Sequence, residues 1–168
     1  KEGVLYNKNG KLYVISDGKS VEPTLIDSKG KEVPALNSSA RKLKAISYLK
    51  LRDATKNLIL MMQDPNQSDS DISTLMGKTK KLYENFISKN DYLNHVSNSF
   101  LRKIDNDFPI VDALENETVI QKEDGKEIKA YSPADILTKR TIYPFKEPET
   151  ADSIQDAIPI SLVYKNKI

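Results

Sequence analysis

The sequence has no cysteine, no tryptophan and a single histidine, His95. Without cysteine the chain forms no disulfide bond, performs no thiol chemistry and builds no zinc site from cysteines. One histidine also excludes a zinc site made of several histidines, and it limits any Ser-His-Asp triad to His95. We interpret His95, which stands beside Val96, as a surface or helix-start side chain.

Glycine and long apolar runs are scarce as well. The 168 residues include six glycines, all scattered singly, so the glycine-rich loops that cradle phosphates or dinucleotides are absent. No apolar run approaches the roughly 18 residues that a membrane-spanning helix needs. The sequence therefore predicts a cytoplasmic protein with no cofactor, no metal and no membrane partner.

Charged side chains are abundant, whereas apolar ones are few for a compact core. Charged residues make up 30% of the chain and apolar residues 38%, and the mean hydropathy is −0.54. We therefore expect much exposed surface. The net charge of +2 is too balanced for the whole surface to attract a polyanion. Residues 1–52 nevertheless carry six more basic than acidic side chains, which favours nucleic-acid contact in this part.

The N-terminal residues have the pattern of β-strands. Asn9-Gly10 separates two apolar-rich stretches, and this pair tolerates the positive φ of a tight hairpin turn. A third strand is predicted from Val21 to Ile26, at a sheet edge because Pro23 has no amide donor. We expect a β-meander over residues 1–34, followed by a helical domain over 35–168, with the boundary near residues 30–38.

Two long helices follow in the prediction. Ser38 or Ser39 caps a helix of roughly 23 residues that ends before Pro65, because its apolar positions recur at spacings near 3.6. A second helix spans about 71–89, and the two form a helical hairpin.

Shorter elements complete the expected fold. Asp91 is predicted to cap a third helix that ends near Ile104, and residues 109–114 to form a turn. Residues 118–121 and 127–130 form a second β-hairpin, Ser132-Pro133 starts a short helix, and an irregular tail with a helix cap at Ser153 follows residue 141. The fold class is α+β, mainly α: an N-terminal β-meander and a helical bundle with a small second β-hairpin.

Carboxylate pairs are the candidates for acid-base chemistry. Asp105 with Asp107, and Glu115 with Glu117, offer paired acids, and a small enzyme that uses them is one hypothesis. Solvated surface is the favoured interpretation, because nothing in the sequence indicates burial. Residues 105–107 also resemble the start of a calcium loop, but positions six and twelve hold Ile110 and Asn116 instead of glycine and glutamate.

Basic side chains on the two long helices are the candidate nucleic-acid contacts. Such cations neutralise phosphates and release counterions, but lysines on amphipathic helices are usually solvated, so an ordinary solvated helix face is the favoured interpretation. Tyr48 and Tyr83 could stack on bases, but both fit the apolar stripes, and core packing is favoured. The candidate contacts are Arg41, Lys42, Lys44, Lys50, Arg52, Lys78, Lys80 and Lys81.

Short motifs follow one another in a fixed order within residues 40–168. They are residues 81–86, Leu93-Asn94, residues 98–101, Asp107, residues 113–115, residues 136–140, residues 151–157 and Ser161-Leu162. Their order resembles the helical linker of very large phage and conjugative-element proteins, which join an adenine-specific N6-DNA methyltransferase to an SNF2-like superfamily 2 helicase. Asn90-Asp91 departs from that pattern, which has a glycine before Leu-Asn.

The resemblance implies a non-catalytic accessory domain that positions DNA or the neighbouring methyltransferase and helicase modules. The chain has no Asn-Pro-Pro-Tyr or Asp-Pro-Pro-Tyr motif and no Asp-Glu-x-His motif, so we expect neither activity from it. It begins with Lys1 instead of Met, which we interpret as an excised piece of a bacterial or phage protein. The alternative is a stand-alone nucleic-acid-binding helical module, favoured by the basic excess in residues 1–52.

Overall fold

The computed structural model describes residues 1–144. The motif at 151–157, Ser161-Leu162 and the predicted cap Ser153 lie outside the described residues. The predicted irregular tail also lies outside them, apart from residues 141–144, which form no helix or strand.

The protein has an α+β fold in which helices predominate, as the sequence predicts. Within residues 1–144 the strands are short and form three small antiparallel sheets, whereas two long helices are the largest elements. None of these helices is both long enough and apolar enough to cross a lipid bilayer.

The first three strands form an antiparallel meander. They are β1 (Leu5–Lys8), β2 (Lys11–Ser16) and β3 (Lys19–Val21). The predicted turn at Asn9-Gly10 is confirmed, because these residues have φ values of 54° and 87°, as a two-residue hairpin loop requires.

The predicted single strand from Val21 to Ile26 is wrong. Two strands in separate sheets replace it: β3 ends at Val21, and β4 (Thr24–Ile26) pairs with β5 (Glu32–Pro34). Pro23 lies buried between them, where a residue without an amide ends a ladder. Its carbonyl instead accepts a hydrogen bond of 2.9 Å from the Ala35 amide.

The two long helices are confirmed as an antiparallel hairpin. Helix α1 (Ser39–Gln63) has 25 residues and α2 (Asp69–Asn90) has 22. The Ser38 hydroxyl accepts from the Arg41 amide, and the Ser68 hydroxyl accepts from the Asp71 amide. Each serine therefore accepts a hydrogen bond from a first-turn amide that has no partner within the helix, and this fixes where the helix begins.

The structure corrects the predicted third helix. Asp91 does not cap its start: it directly follows α2, with a φ of 67°, in the position where the family pattern has glycine. The side-chain amide of Asn98 closes the next loop by donating to the Asn90 and Tyr92 carbonyls. Helix α3 (Ser99–Ile104) begins only after this loop and a 3₁₀ turn, Val96–Asn98.

The predicted turn at 109–114 is in large part helical. Helix α4 (Phe108–Asp112) has a proline, Pro109, in its first turn, where the missing amide is not needed.

The second hairpin is confirmed and is longer than predicted. Its strands are β6 (Glu115–Gln121) and β7 (Glu127–Pro133). Pro133 therefore ends a strand and does not start a helix with Ser132, as the sequence predicted. The helical turn that follows is a 3₁₀ helix, Asp135–Leu137.

The meander and the helices share one apolar core. Leu5 and Leu12 from the first two strands belong to the same buried cluster as Tyr48, Leu51 and Phe108. Helix α1 contacts α2, α4 and β1, so it forms the centre of the fold. Residues near the start of the chain are thereby held against α1.

Candidate nucleic-acid interface

The structure separates the eight predicted contact residues into three groups. Arg52 is buried, and Arg41 and Lys44 are half-buried. The remaining five side chains are exposed: Lys42, Lys50, Lys78, Lys80 and Lys81.

Arg52 is wrong as a candidate phosphate contact. Its side chain is only 8% exposed, because α1 turns it inward toward β1 and the end of α3. Nη1 donates to the Leu5 carbonyl at 2.6 Å and to Asp105 Oδ2 at 2.9 Å, while Nε and Nη2 donate to Asp53. Burial by itself would lower the pKa of Arg52, but hydrogen bonds and charges from Asp105 and Asp53 raise it above its ordinary value.

Arg41 and Lys44 are largely occupied within the fold. The Arg41 guanidinium lies 4.4 Å from the ring centre of Phe100, and the Lys44 ammonium lies 5.8 Å from it. Arg41 also donates to the Ala35 carbonyl at 3.0 Å. Burial, followed by repulsion from Arg41, lowers the pKa of Lys44. Both side chains therefore help to hold α3 against α1.

The five exposed lysines remain available to phosphate. Lys78 and Lys81 are one turn apart on α2, while Lys80 has a weak contact of 3.9 Å with Glu84. Lys42 and Lys50 lie on the outer side of α1. Lys42 also lines a hollow of about 280 Å³ between this helix and the meander.

The prediction that the paired carboxylates are solvated is wrong for three of the four. Asp105, Asp107 and Glu115 are buried, and only Glu117 is exposed. Asp107 is covered because it accepts from the ammonium of Lys1 at 2.6 Å. The residues that these acids bind lie far away in sequence, which is why local patterns gave no sign of burial.

Asp105 joins the start of the chain to α1 and α4. Its Oδ1 accepts from the Leu5 amide at 3.1 Å and from the Asp107 amide at 3.0 Å. Its Oδ2 accepts from Arg52 and from the hydroxyl of Tyr48. Each oxygen thus has two donors, so this carboxylate is part of the framework that joins these segments.

Glu115 forms the matching cluster beside α2. Its Oε2 accepts from the Tyr83 hydroxyl and the Leu93 amide, both at 2.8 Å. Its Oε1 accepts from the backbone and side-chain amides of Asn94 at 3.1 and 2.9 Å. Glu115 therefore fixes the chain that follows α2 at the base of the second hairpin.

The sequence contained one signal for the Asp105 cluster. Arg52 follows Tyr48 by four residues, so both lie on the apolar face of α1. A cation on a buried face needs an acidic partner, but the sequence does not say which acid supplies it. Burial of Tyr48 and Tyr83 confirms that these rings pack in the core.

The two buried tyrosines predict a loss of stability at alkaline pH. Burial raises the pKa of Tyr48 and Tyr83 far above the ordinary 10.0, and Asp105 and Glu115 raise it further. Above about pH 10 the unfolded chain releases these protons while the folded chain keeps them, so the free energy of unfolding falls as pH rises. The contribution is fully present below that pH. We expect a fall of up to about 1.4 kcal/mol per pH unit for each tyrosine.

Urea unfolding between about pH 9 and about pH 11 measures this slope. Tyr48→Phe and Tyr83→Phe are each expected to flatten it, whereas Tyr143→Phe, at an exposed position, keeps the wild-type slope. Equal slopes in all four proteins would contradict the prediction.

The remaining metal and acid-base candidates are explained by local structure. His95 Nδ1 accepts from the Ser97 amide at 3.1 Å, which confirms a helix-start role. Among residues 1–144 no three His, Cys, Asp or Glu side chains lie close enough to hold a metal ion. In the segment that resembles a calcium loop, both oxygens of Asp105 already bind protein donors.

A further set of surface side chains was not among the residues singled out from the sequence. Tyr6, Lys8, Lys11 and Tyr13 lie on the outer face of the meander, opposite the buried Leu5 and Leu12, with the lysines exposed and the tyrosines half-buried. The signal for this face is the two-residue period of a strand, because successive side chains point to opposite sides.

The resemblance to methyltransferase and helicase proteins receives no independent support from comparison. The chain matches no protein-family model, no curated protein and no solved structure. The assignment to that family therefore stays a prediction, based on the order of the motifs.

Proposed function

We propose that this chain is a non-catalytic accessory domain of a mobile-element DNA methyltransferase and helicase protein. It positions DNA or the neighbouring catalytic modules, in the cytoplasm of a bacterium or of a phage-infected cell. The ordered motifs between residues 81 and 140 support this proposal, together with the lack of methyltransferase and helicase signature motifs in the sequence.

The observation that carries the proposal is that the first and last described segments are both fixed to α1. Arg52 holds the Leu5 carbonyl at 2.6 Å. Arg140 donates to the Met62 carbonyl at 2.6 Å and to Asp69 at 3.0 Å. A helical pair that holds both segments makes a stiff spacer, as a domain that sets the distance between two modules requires.

The buried acids support a framework role in the same way. Asp105 and Glu115 use both of their oxygens to bind backbone and side-chain donors of this chain. Their geometry is therefore explained by the stability of the fold, without an acid-base reaction.

Salt-dependent DNA binding tests the positioning of DNA. We expect the domain to bind a short DNA duplex with an affinity that falls as salt rises from about 50 to about 200 mM, because each neutralised phosphate releases counterions. The variant Lys78→Glu/Lys80→Glu/Lys81→Glu is expected to bind at least tenfold more weakly. Its salt slope decreases by up to about three, at roughly 0.9 for each phosphate contact.

A triple variant with the same charge change is the control. Lys122→Glu/Lys126→Glu/Lys129→Glu alters the second hairpin and is expected to keep the wild-type affinity within about twofold. Fluorescence anisotropy of a labelled duplex measures both variants. Affinity that does not change with salt would contradict phosphate contact.

The stand-alone nucleic-acid-binding module remains the second candidate, and the basic excess in residues 1–52 favours it. The reading frame of the gene on the two sides of this chain distinguishes the two candidate functions. A reading frame that encodes methyltransferase and helicase motifs on the two sides of this chain supports the accessory domain. A frame without either motif overturns it and favours the stand-alone module.

A further inference from the structure

We propose that the outer face of the meander binds single-stranded DNA, with bases stacked on its tyrosines and phosphates held by its lysines. The hairpin face consists of Tyr6, Lys8, Lys11 and Tyr13, with Ser20 on the third strand. This inference rests on the proposed function and adds a second DNA-contacting surface, for single strands, to the duplex contact expected on α2.

Strand register places these side chains together. Tyr6 is directly opposite Tyr13, and Lys8 is directly opposite Lys11. Partners opposite each other in an antiparallel pair lie on the same side of the sheet, and residues two apart along a strand do as well. One face of a single hairpin therefore carries two aromatic rings next to two cations.

The tyrosines form an aromatic platform outside the core. Their ring centres are 6.1 Å apart and their planes are inclined by 39°. The hydroxyl of Tyr6 is hydrogen-bonded to Ser20, which fixes this ring on the sheet. A ring held in one orientation loses little side-chain freedom when a base stacks on it.

The lysines of the hairpin face have no acidic partner within residues 1–144. Like charges directly opposite each other on two strands reduce stability, so this pair does not serve the hairpin itself. A polyanion bound here would remove the repulsion. Lys8 and Lys11 line a surface hollow of about 440 Å³ together with Asn9, Tyr13 and Ser20.

Lys11 continues the basic surface toward α1. It also lines the hollow of about 280 Å³ to which Lys42 contributes. Lys42 is one of the contacts predicted from sequence and is exposed. Lys8 and Lys11 therefore border one hollow, and Lys11 and Lys42 border the other together with Glu22, so cations extend from the hairpin turn to the start of the long helix.

Aromatic rings favour a single strand over a duplex. In a duplex the base faces are covered by their neighbours and only the edges are exposed in the grooves. Unpaired bases expose their faces, and proteins bind them by combining aromatic stacking with a basic groove. The hairpin face has both features side by side.

A single tryptophan reports on stacking, because the natural chain has none. We expect Tyr13→Trp fluorescence to be quenched saturably by a twelve-nucleotide thymidine strand and not by a duplex of equal length. Lys8→Glu/Lys11→Glu is expected to weaken binding of the single strand at least tenfold. Lys122→Glu/Lys126→Glu is the matched control, because these lysines flank the turn of the other hairpin, and it keeps the affinity within about twofold.

The outcomes separate this inference from the proposed function. Suppose that the domain binds DNA, that only the α2 triple variant weakens this binding, and that the tryptophan is not quenched. Binding at the hairpin face is then overturned, and the positioning of DNA is still supported. If no oligonucleotide binds, both the hairpin face and DNA positioning are overturned. Tighter binding of a uridine strand than of the thymidine strand would overturn the assignment to DNA. Circular dichroism of each variant confirms folding, and the tryptophan reporter decides the question if Lys8→Glu/Lys11→Glu unfolds.

Discussion

Replacing Asp105 by asparagine is expected to lower the free energy of unfolding by about 3–5 kcal/mol, the usual effect of removing one partner of a buried ion pair. The Asp105 side chain is fully buried, and its carboxylate neutralises Arg52, which is 8% exposed. Asparagine has nearly the same shape, but it leaves this buried cation with the exposed Asp53 as its remaining acidic partner within residues 1–144. Small domains are stable by only about 5–15 kcal/mol, so the variant loses a large part of the total.

Asp53 provides the matched control for this variant. It accepts from Nε and Nη2 of the same arginine, but its side chain is 63% exposed. Exposed ion pairs contribute about 0–1 kcal/mol, so Asp53→Asn is expected to change stability by less than about 1 kcal/mol. Urea unfolding followed by circular dichroism measures both variants. Equal losses would show that burial of Asp105 does not govern the effect.

A double variant separates the effect of the buried charge on stability from the effect of the lost hydrogen bonds. Arg52→Met/Asp105→Asn removes the cation as well as the carboxylate, so no uncompensated charge remains in the core. We expect it to be more stable than Asp105→Asn alone, by about 1–3 kcal/mol, because it removes the desolvation cost of a buried charge. If the double variant is instead less stable by the sum of the two single losses, the ion pair is not the cause.

Replacing Glu115 by glutamine is expected to have the second largest effect, a loss of about 2–4 kcal/mol. Glu115 accepts four hydrogen bonds from Tyr83, Leu93 and Asn94. Glutamine offers one acceptor oxygen, and its amide group then faces donors that have no partner. Buried donors without a partner cost about 1–3 kcal/mol each.

The loss of stability in Glu115→Gln is expected to be local as well as global. Hydrogen exchange of the Leu93 or the Asn94 amide should become faster than that of the centre of α2, because the two amides bind different oxygens of Glu115 and glutamine keeps one of them. Glu117→Gln is the control, since Glu117 is 46% exposed and, among the residues that the structure describes, pairs with the single cation Lys129. Unchanged exchange at Leu93 and Asn94 in Glu115→Gln would contradict the role of the carboxylate.

The candidate interface shows why predicting contacts from helix position alone was only partly successful. Lys78, Lys80 and Lys81 were expected on a solvated face and lie on one. Arg52 has the same charge and a similar local context, yet it is buried, because it shares the apolar face of α1 with Tyr48. Helical periodicity distinguishes exposed from buried cations only when each cation is assigned to a helix face, in the same way as the apolar residues.

The sequence by itself determined the elements whose causes are local. Ser38 and Ser68 start the long helices by binding amides three residues ahead, and Asn9-Gly10 turns the first hairpin because both residues tolerate a positive φ. Only the tertiary structure decided which charged groups are buried. Asp105 binds Leu5, Tyr48 and Arg52 across 100, 57 and 53 positions. Contacts over such separations depend on how the whole chain packs, and no local pattern encodes them.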